Sequence, residues 1–403
     1  MSRRAIAVLA LFVCAAAHAA IDPHVAQRAF AAFQANCSRD NGALWTVSLC
    51  GTIVIVDKTT REAIASDGWT GKLPDNFGIA NTAFDWNGTR ASMVMWPLPK
   101  DEGACDRLLL HERFHAIQDR IGLPMSPPSA NEHLDTLDGR YLMRLEMRAL
   151  REAVLALGKS PSSARKALND ALAFRRARFE KFPDAEHPEA ALDRNEGMAE
   201  YTGVRLFTTD ASRMSETAAS GLTDGEKSPA FSRSYAYATG PAWGLLLDEF
   251  QPGWRTRIQT GAFESLFAKP ADARLTIERR AAGYGGTPIL ADERRRDQER
   301  QQRLASYVKR FVEGSVFTLP LRNMNMQMDP YDVHPWEGHG TVYEHITVSD
   351  DWGKIIADHG ALIDNSFTML VVPATSKNIT LATGWRIAAG ERSGDLMVSR
   401  VAR

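Results

Sequence analysis

Between Leu108 and Gln118 the chain reads LLLHERFHAIQ, which sets His111 and His115 four residues apart with Glu112 directly after the first. The segment carries no Gly or Pro and is flanked by apolar residues, so it is predicted to be helical. Positions i and i+4 of a helix share one face. Both imidazoles can then reach one zinc ion, with Glu112 beside them where a water held by that ion would lie. The spacing is itself a statement about chemistry, because a purely structural zinc site uses four protein ligands and needs no base next to them.

The rest of the chain sets the context for that motif. Its 403 residues suffice for more than one hydrophobic core. A formal charge of −1, from 48 basic and 49 acidic residues, lacks the basic excess of a protein built to hold nucleic acid. At the N-terminus Arg3 and Arg4 precede an apolar run from Ala5 to Ala17, and Ala17-His18-Ala19 offers small residues for cleavage. Residues 1–19 therefore read as a signal peptide. The run is shorter than the roughly 20 residues needed to cross a bilayer, and no later segment is long and apolar enough to do so. The expectation is a periplasmic or secreted protein with no transmembrane anchor. In an oxidising compartment Cys37 and Cys50 are candidates to close a small loop, whereas Cys105 reads as a small buried hydrophobe.

The pattern along the chain predicts an α+β protein: a mixed N-terminal β segment, a predominantly helical domain and a small C-terminal β domain. Residues 20–100 form the mixed segment, with a helix over 23–36 and strands at Gly51–Asp57 and Ser92–Leu98. Residues 101–255 are predicted to be mainly helical, over 106–121, 133–158, 162–182, 189–207 and 235–250. A helical connector follows over 256–313, with a charged helix at 292–313 whose charge run reads as a solvated face. Short β-prone runs then make up the domain at 314–403. His334, His339 and His345 lie near Trp336 there, at spacings that match no zinc site.

In and around the His111–His115 motif the chain resembles the zincin metallopeptidases. Those of metzincin type place a third histidine six residues after the second, but position 121 is Ile here. The stretch Asp193-Arg194-Asn195-Glu196-Gly197-Met198-Ala199-Glu200-Tyr201 is similar to the third-ligand helix of the gluzincins, both thermolysin-like peptidases and leucyl-type aminopeptidases. That resemblance implies Glu196 as third zinc ligand. It also implies that Gly197 and Ala199 allow close approach to the motif helix, and that Glu200 accepts an N–H from a zinc-bound histidine. His115 and Glu196 are separated by 80 residues, more than the family usually has, so Glu132, Glu146 and Glu200 remain alternatives for the third ligand. The inserted helices would cover the site or shape its cleft.

Two further segments add to the resemblance. Asn81-Thr82-Ala83-Phe84-Asp85-Trp86-Asn87-Gly88, then Met93-Val94, is similar to the edge-strand segment lining the thermolysin-like cleft. It implies that Asn81, Ala83 and a strand at Met93–Trp96 hydrogen-bond an extended peptide; a turn and a core strand is the alternative. Tyr235-Ala236-Tyr237-Ala238-Thr239-Gly240 resembles the aminopeptidase element whose tyrosine stabilises the oxyanion, with Tyr237 the candidate and Tyr235 the alternate.

These readings converge on an exported zinc-dependent peptidase. Zn2+ held by His111, His115 and Glu196 acidifies a water, Glu112 acts as general base, and Tyr237 serves the oxyanion. The expected partner is a peptide or protein substrate. A non-catalytic envelope binding or scaffolding protein, and a zinc hydrolase of non-peptide amides or esters, are the competing expectations.

Overall fold

A computed structural model describes residues 20–74, 77–125, 131–259, 262–267, 275–328, 333–336 and 338–401. The expected signal peptide lies outside the described residues. The chain is α+β and divides into two compact units, Met1–Thr287 and Pro288–Arg403. Among the described residues no helix is long and apolar enough to cross a membrane.

The first unit holds a five-stranded sheet made of β1 (Ile53–Asp57), β2 (Glu62–Ala65), β3 (Thr70–Lys72), β4 (Thr82–Trp86) and β5 (Thr89–Trp96), in the order β3-β2-β1-β5-β4. β1 and β5 run parallel, while the other pairs are antiparallel. Every residue of β1 is buried, as its unbroken run IVIVD suggests for a central strand covered on both faces. On one face Val54, Val56, Ala65, Phe84, Trp86 and Met93 form an apolar cluster.

The other face receives helix α2. Before it, α1 (Pro23–Asp40) begins at Asp22, whose carboxylate accepts from the His24 and Val25 backbone N–H groups. Cys37 near its end is joined to Cys50 by a disulfide. α2 (Glu102–Ile117) starts four residues earlier than the sequence pattern suggests, because the Asp101 side chain caps it by accepting from Ala104 N. The Ser92 hydroxyl on β5 donates to the Glu112 carbonyl at 2.8 Å. Arg113 is buried and donates to the carbonyls of Leu49 at 2.9 Å and Arg90 at 3.0 Å. The motif helix is thereby pinned to the sheet, which makes segments 20–100 and 101–255 parts of one unit rather than two domains.

The remaining helices are α3 (Leu137–Leu155), α4 (Pro161–Lys181), α5 (Glu186–Leu192), α6 (Met198–Leu206), α7 (Ala211–Gly225), α8 (Tyr235–Phe250) and α9 (Ile277–Ala282). Where the pattern predicts one helix over 189–207, α5 and α6 are joined by a π-helical turn at Asp193–Gly197. α7 has no counterpart in the sequence reading. Its buried stripe is Met214, Ala218, Ala219 and Leu222, half of it alanine and so a weak apolar signal, although Asp210 caps its start.

A buried charge cluster ties these helices together. Glu146 of α3 lies 2.9 Å from Arg175 and 2.7 Å from Arg178, both on α4, and accepts from the Trp243 indole at 3.2 Å. Arg175 also reaches Asp193 at 2.8 Å, and Arg178 grips Glu189 through two bonds of 2.7 and 2.6 Å. Burial, reinforced by Glu189 and Glu146, raises Asp193 to about 7 against the pull of Arg175.

The second unit is built on α10 (Gly286–Tyr307), whose first turn carries the unit boundary and which continues into a π turn at Val308–Glu313. Strands from Val316 to Arg400 form a seven-stranded and a four-stranded sheet over a core including Phe317, Leu319, Trp352, Ile355, Leu370 and Val372. The end of the expected charged helix has a buried side as well as a solvated face. Tyr307 and Phe311 pack with Trp336, Val342 and Leu362, so the end of the presumed connector belongs to the β unit.

Glu189 gives this fold a defined acid sensitivity. Burial would raise its pKa, but Arg178, His133 and Arg175 lower it from 4.5 to about 2. Because the fold favours the charged form, the contribution is complete above pH 4.5 and is lost as pH falls toward 2. Urea midpoints measured from about pH 5 down to about pH 3 should decline more steeply for the wild type than for Glu189→Gln. Parallel declines would remove Glu189 from the acid response.

Candidate metal centre

Three elements bring the candidate site together: α2 carries His111, Glu112 and His115, the π turn carries Glu196, and the first turn of α8 carries Tyr237. His111 Nε2 lies 3.1 Å from His115 Nε2 and 3.4 Å from Glu196 Oε2, and His115 Nε2 lies 3.6 Å from that same oxygen. Ligand atoms about 2.0–2.1 Å from a tetrahedral ion stand about 3.3 Å from one another. The three side chains could therefore hold one small ion without rearrangement, and among the described residues they are the one such group. Two imidazoles and a carboxylate suit zinc and its first-row neighbours better than calcium or magnesium, which favour all-oxygen sets.

The surroundings of each candidate ligand are specific. His111 Nδ1 lies 3.2 Å from Glu200 Oε1, at the place expected for that residue, but without the geometry of a hydrogen bond. Burial lowers the His111 pKa, yet the Glu196 and Glu200 carboxylates outweigh it and raise it to about 10. Burial acts on Glu196 in the opposite sense, and His111 and His115 overcome it, holding that carboxyl well below its usual range. The His115 Nδ1 position is taken by Gln118 Oε1 at 2.9 Å. Gln118 has no place in the sequence reading. It stands three residues after His115, a spacing that keeps neighbours on one face, just beyond the end of α2 in a 3₁₀ turn from Gln118 to Ile121.

Glu112 is buried, and its Oε2 is without a hydrogen-bond partner among the described residues. Burial raises its pKa, while the charges of His111 and His115 oppose the rise. An unmatched buried carboxylate oxygen is costly unless it has a proton to receive. Tyr237 is 43% exposed and stacks on His111, with ring centroids 5.8 Å apart and planes 7° from parallel. Burial, together with the negative charge of Glu196, keeps its phenol protonated. Tyr235, the alternate, points elsewhere: it is buried and donates to the Glu189 carbonyl at 2.7 Å.

The other candidates for third ligand are placed apart from the histidines. Glu132 lies exposed in a 3₁₀ turn, Glu132–Asp135. Glu146 is wholly enclosed by Arg175, Arg178 and Trp243. Glu200 touches His111 through the nitrogen that faces away from the cluster.

Two local expectations need correction. Gly197 does not face the motif helix: a Cβ there would lie 3.4 Å from Gly240 Cα on α8, and one on Gly240 would overlap the Gly197 backbone. The close approach of α6 to α2 is at Gly203, where a Cβ would come within 2.8 Å of the Arg107 carbonyl. The strand at Met93–Trp96 is an edge only in part: Met93 pairs with Val54 on one side and Thr82 on the other, whereas Val94–Trp96 pair with β1 alone. The outermost strand is β4, on which Ala83 is buried, and the Asn81 amide oxygen accepts from Met95 N at 2.8 Å.

Cys105, buried and free, has its thiol pushed up to about 11 by burial and by Asp106, which leaves it inert as a nucleophile. No protein-family model matches the chain, and no curated protein or solved structure matches it either.

Metal analysis of the purified protein should find one equivalent in the wild type and in Glu132→Ala, and none in Glu196→Ala; retention by Glu196→Ala would remove Glu196 from the ligand set. Gly240→Ala should lower stability by about 1–3 kcal/mol through the clash with Gly197. It should weaken metal binding as well, because the displaced turn carries Glu196; thermal unfolding and chelator competition measure the two effects.

Proposed function

We propose that this protein is an exported zinc-dependent peptidase of gluzincin type. The observation that carries the reading is the conjunction at one place of three ligand atoms at zinc-like separations and the unmatched Oε2 of buried Glu112. A structural metal site would have no use for the second feature.

His111, His115 and Glu196 would hold the ion, which supplies Lewis acidity and an acidified water when bound. Glu112 takes the proton of the attacking water on its carboxylate and passes it to the leaving amine. Its raised pKa suits a group that must accept and then release a proton. Tyr237, half exposed beside His111 and kept protonated, offers its O–H to the oxygen on which negative charge develops. The outer edge of β4 leaves backbone groups open to an extended chain, and Asn81 secures the end of that edge by capping Met95 N. Export is supported by the Cys37–Cys50 disulfide, which an oxidising compartment would preserve.

Digestion of a mixed peptide library, read by mass spectrometry, tests the activity. The wild type should cleave in a chelator-sensitive manner, and Glu112→Gln should keep its metal while losing at least about 100-fold in rate. Tyr237→Phe should lose kcat with little change in KM. Metal-loaded wild type that cleaves no peptide would overturn the peptidase reading.

A further inference from the structure

The three candidate ligand residues each offer two polar atoms, and each has one beside a polar atom of a neighbour. His111 Nδ1 faces Glu200 Oε1. His115 Nδ1 faces Gln118 Oε1 at 2.9 Å, Gln118 Nε2 donates to Asn195 Oδ1 at 3.0 Å, and Asn195 Nδ2 donates to Glu196 Oε1 at 2.9 Å. The last three bonds form one unbroken relay from the second histidine to the third ligand. Its two amides join residues that are far apart in sequence, and Gln118 is buried.

The ends fix the direction of the relay. The ionised carboxylate of Glu196 can only accept, so Asn195 must present its NH2 there and its oxygen to Gln118. Gln118 must then turn its NH2 toward Asn195 and its oxygen toward His115, which obliges His115 to carry a proton on Nδ1. That tautomer leaves the Nε2 lone pair free. At the other end Glu196 has Oε1 occupied and Oε2 available. The two atoms left over, His115 Nε2 and Glu196 Oε2, are the ones 3.6 Å apart in the cluster.

We infer that Gln118 is a positioning residue that, acting through Asn195, selects the ligating atom of both His115 and Glu196. This rests on the metal reading of the site but not on peptidase activity. A residue that merely filled space beside α2 would not need an amide, and neither half of the relay would depend on the other.

The test is zinc affinity by competition with a chromophoric chelator, together with the His115 Nδ1 proton in 15N–1H spectra of the zinc-loaded protein. Gln118→Met keeps the length and volume but removes both bonds; it should weaken zinc binding by about 10–100-fold and lose the slowly exchanging Nδ1 proton. Gln118→Glu still accepts from His115 but cannot donate to Asn195, so it should keep that proton while affinity falls. Asn195→Ala should weaken binding in the wild-type background and add little to Gln118→Met, because the two act as one unit. Should Gln118→Met fail to fold, Asn195→Asp carries the test: it accepts from Gln118 but cannot donate to Glu196, so affinity should drop with the Nδ1 proton retained. Wild-type affinity in Gln118→Met, or losses that multiply in the double variant, would overturn the relay. A wild type that binds no zinc would overturn it along with the metal reading, whereas zinc binding without peptide cleavage would leave it intact.

Discussion

Arg175 and Asp193 meet at 2.8 Å where water cannot reach either of them, and three residues further on stands Glu196. Removing one partner of such a contact would strand the other in a medium that solvates it poorly, which typically costs about 3–5 kcal/mol. The same π turn is held from another side by the backbone contact of Gly197 with Gly240. Four of its five residues thus face in three directions: Asp193 into the charge cluster, Asn195 toward Gln118 with Glu196 toward the histidines, and Gly197 against α8. The wider winding of a π turn is a common device at functional sites, and here it lets one short segment serve structure and ligand together.

Much of the site was legible because its central element is local. Two histidines and a glutamate within five residues of one helix need no tertiary knowledge, and the Asp101 cap of α2 is equally local. Glu196 was legible for another reason, the small residues and second glutamate that follow it, although the role of Gly197 differs from that expected. Gly197 makes room for α8, and Gly203, which no pattern marked, makes room for α2. Gln118 escaped because a single amide beyond a helix end carries no periodic or compositional signature; its meaning appears only when Asn195 is brought to it from 77 positions away.

The fold was legible to a lesser degree. The α+β class and the β character of the C-terminal region follow from the order of apolar patterns, but the domain boundaries do not. A strand and a helix that bury each other's apolar faces look like separate segments in sequence, and the contact of Ser92 with the Glu112 carbonyl that unites them joins residues on different elements. The place of β5 within the sheet was hard to read for a similar reason. Strand order depends on long-range pairing, and the β1 partner that buries one side of β5 lies about 40 residues upstream.

The long interval between His115 and Glu196 also takes on a different meaning in three dimensions. Helices inserted between two ligands invite the idea of a lid, yet α3 and α4 contribute Glu146, Arg175 and Arg178 to the cluster that grips Asp193 and Glu189. Their charges engage the turn through Asp193, and none of these groups reaches the ligand atoms. The insertion therefore acts on the site through the backbone of the π turn, by fixing where Glu196 begins. A lid would be tied only loosely to the site it covers, whereas these helices are joined by the buried Arg175–Asp193 contact at 2.8 Å to the turn that carries Glu196, the candidate third ligand.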